Sequence, residues 1–544
     1  MNTNATELAF VRGSVFTVNG RDEIAEAMAV RGDRIAFVGS TDQVLAHVGE
    51  GARIVDLAGV SVIPGFVDNH IHMTNSYQRH WIDCSYPRCR SIEDIRDLLA
   101  DATRDRPVGS WILGRGFDPA RLTEGRPPNR HDLDPIAREF SVGICNREGM
   151  GWTFNTLGLR AIGVEDDTPD PPGGPLDRDS RGVPLGPMWD NARTVFVNPH
   201  LPQPTDDDIA DGYGWIEERL LEVGVTTAFE AGYREARQAR GWQVLRQTRN
   251  PRVRIHLGPY PLHGASWNED GAPGCLFRSG VATGFGDAWL RIGALQMGVD
   301  GGLVGRTAAL LEPYTDGPAG FRGSFRATQE TLSEAVRRAS RAGWQVGLIC
   351  QGDAGIARAL TAIADGGPAS GAPRHRLEHA YVWAPELLDR MAELGVIWNT
   401  QAQILPLTGG QLAPMLGPRV RWAFPFRSIL ERGITVSGGS DWSVGPLNPF
   451  LGIDAMVHHR SDFGPDASPL VADETVSLQA ALRAHTMGGA IAGGQDRDIG
   501  SIEAGKLADF VVVDRDLTEV QSGYLGDVRV SQTYVGGNLA FSSQ

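Results

Sequence analysis

Cysteine is scarce in this chain: Cys84, Cys89, Cys145, Cys275 and Cys350 are all that 544 residues carry, an odd number without regular spacing. That excludes a disulfide framework and points to free thiols in a reducing compartment. Cys84 and Cys89 alone do not make a cysteine zinc site, which needs further close pairs. Long apolar runs are also missing. No stretch nears the roughly 18 residues that read as a membrane span, and "MNTNATELAFVRG" lacks the basic and apolar regions and the cleavage site of a secretory leader. The expected location is the cytoplasm. Positive charge is in deficit, with 51 Lys and Arg against 66 Asp and Glu, a net charge of -15. The acidic residues are scattered, which argues against nucleic acid or an anionic membrane as a partner. A small-molecule substrate is expected instead, with a homo-oligomer left open.

No Pro/Ser-rich linker or charge block divides the chain, so one large domain with a smaller appendage is the economical division. Hydrophobic residues make up 41% and charged residues 22%, the composition of a globular protein whose core can support a deep pocket. Residues 8–60 read as short strands separated by turns, in "LAFVRGSVFTVNG", "AMAVRGDRIAFVG" and "ARIVDLAGVSVIPG". The C-terminus returns to this character in "GSIEAGKLADFVVVDRD" and "RVSQTYVGGNLAF". Residues 1–60 and 491–544 can therefore build one sheet domain between them.

The middle, 61–490, repeats an amphipathic helix that passes through Gly into a short apolar strand. "ETLSEAVRRASRAGWQVGLICQGD" and "FRSILERGITVSGGSD" are examples. Many such units in one segment predict an α/β fold of the closed (β/α)8 type, a TIM barrel whose site lies at the C-terminal strand ends. An interruption at about 161–200, rich in Pro, Gly and Asp, reads as a loop with a hairpin laid over the barrel mouth as a lid.

The chemistry concentrates in "PGFVDNHIHM". Alternation along a strand puts Asp68, His70 and His72 on one face and Asn69 and Ile71 on the other. The preceding "VSVIPGF" suits a buried first strand, so the two imidazoles arrive where a strand opens onto a cavity and can share a cation. An isolated His-x-His is more often a pair of satisfied histidines; its position changes that balance. Downstream, "GITVSGGSDWSVGPLNPF" places Asp441 at the end of another buried strand, where a carboxylate can ligate a metal and accept a proton. His379, in "HRLEHAYVW", is a third candidate. Glu230, ending "GVTTAFE", can add charge or act as a base, or can pair with a nearby Arg. His458 and His459 diverge on a helix and read as surface or packing residues, and His485 reads as structural. Trp398 and Trp442 either line an apolar pocket or pack in the core.

Together these residues resemble the amidohydrolase superfamily, and more closely its YtcJ-like, N-substituted formamide deformylase branch (amidohydrolase family 3). "WILGRGFDPARL", "PPNRHDLDPI", "DGGLVGRTAALLEPY", "GSDWSVGPLNPF", "ALRAHTMGGAIA" and "GSIEAGKLADFVVVDRDL" fall in that family's order. The resemblance implies a (β/α)8 barrel, a small β-sandwich formed by both chain ends, and a divalent-metal site that activates water against an amide-like bond. By position, His70 and His72 become the first-strand ligands, His379 the sixth-strand His and Asp441 the last-strand acid.

Three positions depart from the family pattern. Gln296 stands where the family commonly has a Lys that is carboxylated to bridge two metals, Ile349 where a second His is expected, and Met150 where a further His is usual. A neutral amide, an alkyl group and a thioether cannot replace that charge or carry protons. One metal is therefore expected, Zn with Mn, Fe or Co as alternatives, held by His70, His72 and Asp441. His379 would serve as a fourth ligand or polarise the substrate carbonyl. The expected activity is hydrolysis of a C–N bond in an amide, formamide, carbamate or cyclic imide. A metal-dependent lyase (decarboxylase or hydratase) and a non-catalytic binding protein are the alternatives.

Overall fold

A computed structural model describes residues 7–136, 138–171, 174–189, 191–260, 277, 279–368, 374–520 and 523–543. The chain divides into two compact units, one of Met1–Thr74 with Tyr213–Gln544 and the other of Asn75–Gly212.

The helix-Gly-strand units predicted for the middle of the chain are present in the first unit. Gln329–Arg341 is capped by Thr328, whose hydroxyl accepts from the Thr331 N–H, and it buries Leu332, Ala335, Val336 and Ala339 along one face. Gly343 then takes a left-handed φ of 78°, the conformation that ends a helix at no side-chain cost. The chain enters the buried strand Val346–Cys350. Gly395, at φ 63°, does the same between the helix Pro385–Glu393 and the strand Ile397–Thr400.

These units assemble into two parallel arcs. One holds Phe66–Ile71, Val225–Tyr233, Arg254–Pro259 and Leu290–Ile292; the other holds Leu295–Gly298, Val346–Cys350, Arg376–His379, Ile397–Thr400 and Val436–Gly438. Most of their residues are buried on both faces, as parallel sheets covered by crossover helices require. Among the described residues the backbone ladders do not join the arcs into one continuous sheet. The first and last strands are nonetheless laced together: Asn69 Nδ2 donates to Ser437 Oγ at 2.9 Å, and the Asp441 N–H donates to the His70 carbonyl at 2.7 Å.

Both chain ends contribute to one six-stranded sheet, in the order Asn538–Ser542, Val530–Val535, Phe510–Val513, Ser61–Pro64, Ser14–Phe16 and Ile24–Ala25. A four-stranded sheet is built from Arg34–Gly39, Ala27–Arg31, Glu7–Val11 and Arg53–Asp56. Phe10, Met28 and Val30 of the smaller sheet share a core with Val15, Val62, Phe510 and Tyr534 of the larger. Phe10 meets Phe510 edge-on at 5.0 Å.

The second unit carries its own six-stranded sheet, Leu176–Arg178, Pro184–Trp189, Gly151–Phe154, Ser141–Asn146, Trp111–Phe117 and Ile82–Asp83. The hairpin expected within 161–200 is the antiparallel pair Leu176–Arg178 and Pro184–Trp189, which extends this sheet. Cys84, Cys89, Cys145 and Cys350 are buried free thiols; Cys275 lies outside the described residues.

Arg254, on a strand of the first arc, meets Asp509, just before the end-sheet strand Phe510–Val513, through Nε to Oδ2 at 2.7 Å and Nη2 to Oδ1 at 3.0 Å. Both side chains are within 3% of complete burial. Removing one partner of such a pair leaves an uncompensated charge and costs about 3–5 kcal/mol. Asp509→Ala is therefore expected to lower the urea unfolding midpoint strongly, and Arg254→Met with Asp509→Leu to recover most of the loss. Equal midpoints for Asp509→Ala and wild type would show that the pair does not join arc to sheet.

Candidate metal centre

His70 occupies the strand Phe66–Ile71 and is fully buried; His72 lies one residue past it with 28% of its side chain exposed. Asp441 follows the last strand of the second arc. Its N–H is held on the His70 carbonyl, and the His72 N–H is held on the Trp442 carbonyl at 2.5 Å. This reciprocal lacing needs close backbone approach: a Cβ at Gly439 would sit 2.6 Å from the His70 nitrogen. Asp441 Oδ1 consequently lies 3.1 Å from His72 Nε2 and 3.7 Å from His70 Nε2. One ligand atom from each of the three residues falls within 4.8 Å of the others.

The donor set suits a cation. His70 Nε2 and Asp441 Oδ1 are buried without a hydrogen bond of acceptable geometry, and a buried polar atom left unpaired is costly unless something else meets it. His70 Nδ1 donates to Glu378 Oε2 at 2.7 Å, which leaves Nε2 as the lone-pair nitrogen. Burial would raise Asp441, but its contact with His72 holds the carboxyl below the usual carboxylate range. Burial likewise opposes charging His72, and Asp441 outweighs it, so the ring is raised above an ordinary imidazole.

His379 ends the strand Arg376–His379, with its ring 4.7 Å from that of His70. Tyr381 donates its single proton to Gln401 Oε1 at 3.1 Å, so the 2.8 Å contact between His379 Nδ1 and Tyr381 Oη must run from imidazole to phenol. Nε2 is then an acceptor. Burial, with the neighbouring His70, pushes the ring down to about 4, so it is neutral at pH 7. His379 and Asp441 both adopt left-handed backbone, φ 67° and 53°, a conformation that costs a non-glycine residue about 1–3 kcal/mol and concentrates at functional sites.

Glu230 is buried beside this group. It accepts the Thr74 N–H at 2.8 Å and the Thr74 hydroxyl at 3.3 Å. Burial lifts its carboxyl to about 7, against the opposing pull of His72 and Thr74. Asp68 has a different task from the histidines on its strand: Oδ1 accepts the N–H groups of Ser440 at 2.9 Å and His70 at 3.3 Å, so it fixes the turn that delivers Asp441.

Gln296 is buried and donates to Glu378 Oε1 at 3.4 Å. Lys506 is the only lysine in the sequence, and its ammonium donates to the Asp496 carbonyl at 2.6 Å, away from this group. Met150 belongs to the second unit. Trp398 is a core residue whose Nε1 holds the His379 carbonyl at 2.8 Å, whereas Trp442 leans on Trp215 at 6.0 Å. His459 is a buried packing residue bonded to the Phe424 carbonyl, and His485 is buried at a helix end. The residue that sequence reasoning passed over is Glu378. Its one local signal was the alternation that puts Arg376 and Glu378 on the same face of the strand that ends in His379.

Residues 53–541 match the amidohydrolase family. The chain belongs to that family, a hydrolase of the kind that acts on carbon–nitrogen bonds, for which a divalent metal is implied. It is 27% identical to N-substituted formamide deformylase from Arthrobacter pascens, over 99% of each chain. The Bacillus subtilis (strain 168) protein YtcJ, named as an amidohydrolase, is 26% identical over 97% of this chain and 98% of its own. A metal-dependent hydrolase from Pyrococcus horikoshii OT3 has the same fold, with a TM-score of 0.75 at 23% identity over 95% of this chain and 99% of the other.

If the triad is the metal-binding group, His70→Ala and Asp441→Ala each weaken Zn(II) binding by more than the roughly 10- to 100-fold typical of losing an outer hydrogen bond. His458→Ala leaves it unchanged. Competition with a chromogenic chelator measures this, and equal affinity in wild type and His70→Ala would remove His70 from the site.

Proposed function

We propose that the protein is a mononuclear metal-dependent hydrolase that cleaves the C–N bond of a small amide, formamide, carbamate or cyclic imide. The observation that carries this reading is the convergence of His70, His72 and Asp441 from the first and last parallel strands, in a family of amidohydrolases whose bridging Lys is here Gln296. The architecture that fits is the two arcs closed as a (β/α)8 barrel, with the two end sheets as a β-sandwich. Zinc suits two imidazoles and a carboxylate; Mn, Fe and Co are also compatible.

When bound, a divalent ion supplies a Lewis acid that makes water more acidic and a carbonyl more electrophilic. Asp441, kept ionised by its imidazole neighbours, accepts the proton of the attacking water and returns it to the leaving nitrogen. His379 presents a neutral Nε2 lone pair, which favours its role as a fourth ligand over that of an oxyanion donor. Glu230 supplies negative charge beside His72. The reading takes the cytoplasm as the compartment, on the buried free thiols, and excludes nucleic acid and membrane as partners, on the net charge of -15. Among the described residues no helix is long and apolar enough to cross a membrane. A homo-oligomer is compatible with it.

A panel of N-substituted formamides and cyclic imides, assayed in water enriched in 18O, tests the reaction. The expected result is turnover that a chelator abolishes, with one labelled oxygen in the acyl product. Turnover that leaves the C–N bond intact, or that puts no label in the acyl product, contradicts the proposal.

Glu230 gives a pH signature. A carboxyl raised to about 7 is protonated below that pH and loses its charge there. On this account kcat/KM falls as Glu230 is protonated, in a limb that lies below about 7 because a bound cation favours the charged carboxylate, and Glu230→Gln lowers kcat/KM and removes the limb. A wild-type profile flat down to pH 5 would contradict a role for Glu230.

A further inference from the structure

Glu378 is a carboxylate with no access to water, a state that is unfavourable unless every lone pair is met. Four donors meet it. His70 Nδ1, at 2.7 Å, and Asn399 Nδ2 approach Oε2; Arg376 Nε, at 2.5 Å, and Gln296 Nε2, at 3.4 Å, approach Oε1. Burial alone would raise the carboxyl, but Arg376, His70 and Asn399 together hold it down at about 2.

Arg376 is itself fully constrained. Its guanidinium lies over the Phe229 ring at 4.0 Å, and it donates to Asn69 Oδ1 at 3.0 Å and to the Asn69 carbonyl at 3.1 Å. Asn69 directly precedes His70 in the chain. One buried ion pair therefore grips the imidazole through Glu378 and the backbone beside it through Arg376. Glycine at position 347 leaves room for this arrangement, since a Cβ there would come 2.5 Å from Gln296 Nε2 and 2.6 Å from Glu378 Oε1. The amide that replaces the family's bridging Lys thus has its N–H group engaged by Glu378.

We infer that Glu378, clamped by Arg376 and Asn399 and backed by the N–H of Gln296, is a positioning residue that holds His70 in the Nδ1–H tautomer and turns Nε2 toward the ion. Carboxylates that orient metal-binding histidines raise both ligand basicity and affinity, and their loss typically costs 10- to 100-fold in metal binding. This inference rests on the reading that His70, His72 and Asp441 hold a cation.

The test uses the full chain stripped of metal and titrated with Co(II), with affinity measured by chelator competition and ligand geometry by the visible absorption band. Glu378→Asp keeps the charge that neutralises Arg376 but shortens the reach to His70. It is expected to weaken Co(II) binding about 10- to 100-fold and to shift the band, while the metal-free protein retains its near-UV circular dichroism. Should Glu378→Asp fail to fold, Asn399→Ala, which frees Oε2 from one donor, is expected to weaken binding at least threefold. Gln296→Leu is expected to change affinity less than threefold and leave the band in place.

Wild-type affinity in a folded Glu378→Asp, or in Asn399→Ala where Glu378→Asp does not fold, overturns the positioning role. A loss in Gln296→Leu as large as that in Glu378→Asp places Gln296 on the ion and overturns its assignment as support. Wild-type protein that takes up no Co(II) overturns the metal reading beneath both, a result distinct from the other two.

Discussion

The N–H of Asp441 on the carbonyl of His70, 2.7 Å away, is the contact on which the rest of the site depends. It joins the end of the last parallel strand to the end of the first, and with the return bond from His72 to Trp442 it fixes the carboxylate opposite two imidazoles. Neither strand positions the group alone. Asp68 holds the same turn from below through Ser440, and Asn69 reaches Ser437 across the seam. The strain of a left-handed Asp441 persists because these bonds over-determine it.

Charge decides how many ions such a group can hold. Two dications about 3.5 Å apart repel by roughly 20 kcal/mol at an effective dielectric of 20, and a bridging anion is what makes that spacing tolerable. By the family resemblance the bridging position is the neutral Gln296, its amide facing Glu378, and the sole lysine of the chain is bound elsewhere to backbone carbonyls. The carboxyls around the site are Asp441, Asp68 and Glu230, the last two raised by burial to about 6 and about 7, and Glu378 on the other side of His70. Arg376 cancels Glu378. On the function proposed above, that balance suits one ion.

The legible part of this in the sequence was the part that local periodicity controls. Alternation in "FVDNHIHM" set His70 and His72 on one face, and helix-Gly-strand repeats forecast the parallel arcs, because both patterns depend on neighbours a few residues away. The strand character of both chain ends was readable in the same way; which strands pair, Ser61–Pro64 with Phe510–Val513, was not. Glu378 was not, since its contact with His70 spans 308 residues and only the fold brings them together. His379 could be placed at a strand end but not given a tautomer, which depends on Tyr381 handing its proton to Gln401. A hairpin was expected somewhere within about 161–200; the membership of Leu176–Arg178 and Pro184–Trp189 in a sheet with Trp111–Phe117 and Ser141–Asn146 follows from pairings that composition does not encode.

An anomalous-scattering map from crystals grown with zinc measures the central claim most directly. The account predicts one peak per chain, within about 2.0–2.2 Å of His70 Nε2, a nitrogen of His72 and a carboxylate oxygen of Asp441. Two peaks bridged near Gln296, or one peak that leaves either His70 or Asp441 uncoordinated, would contradict it.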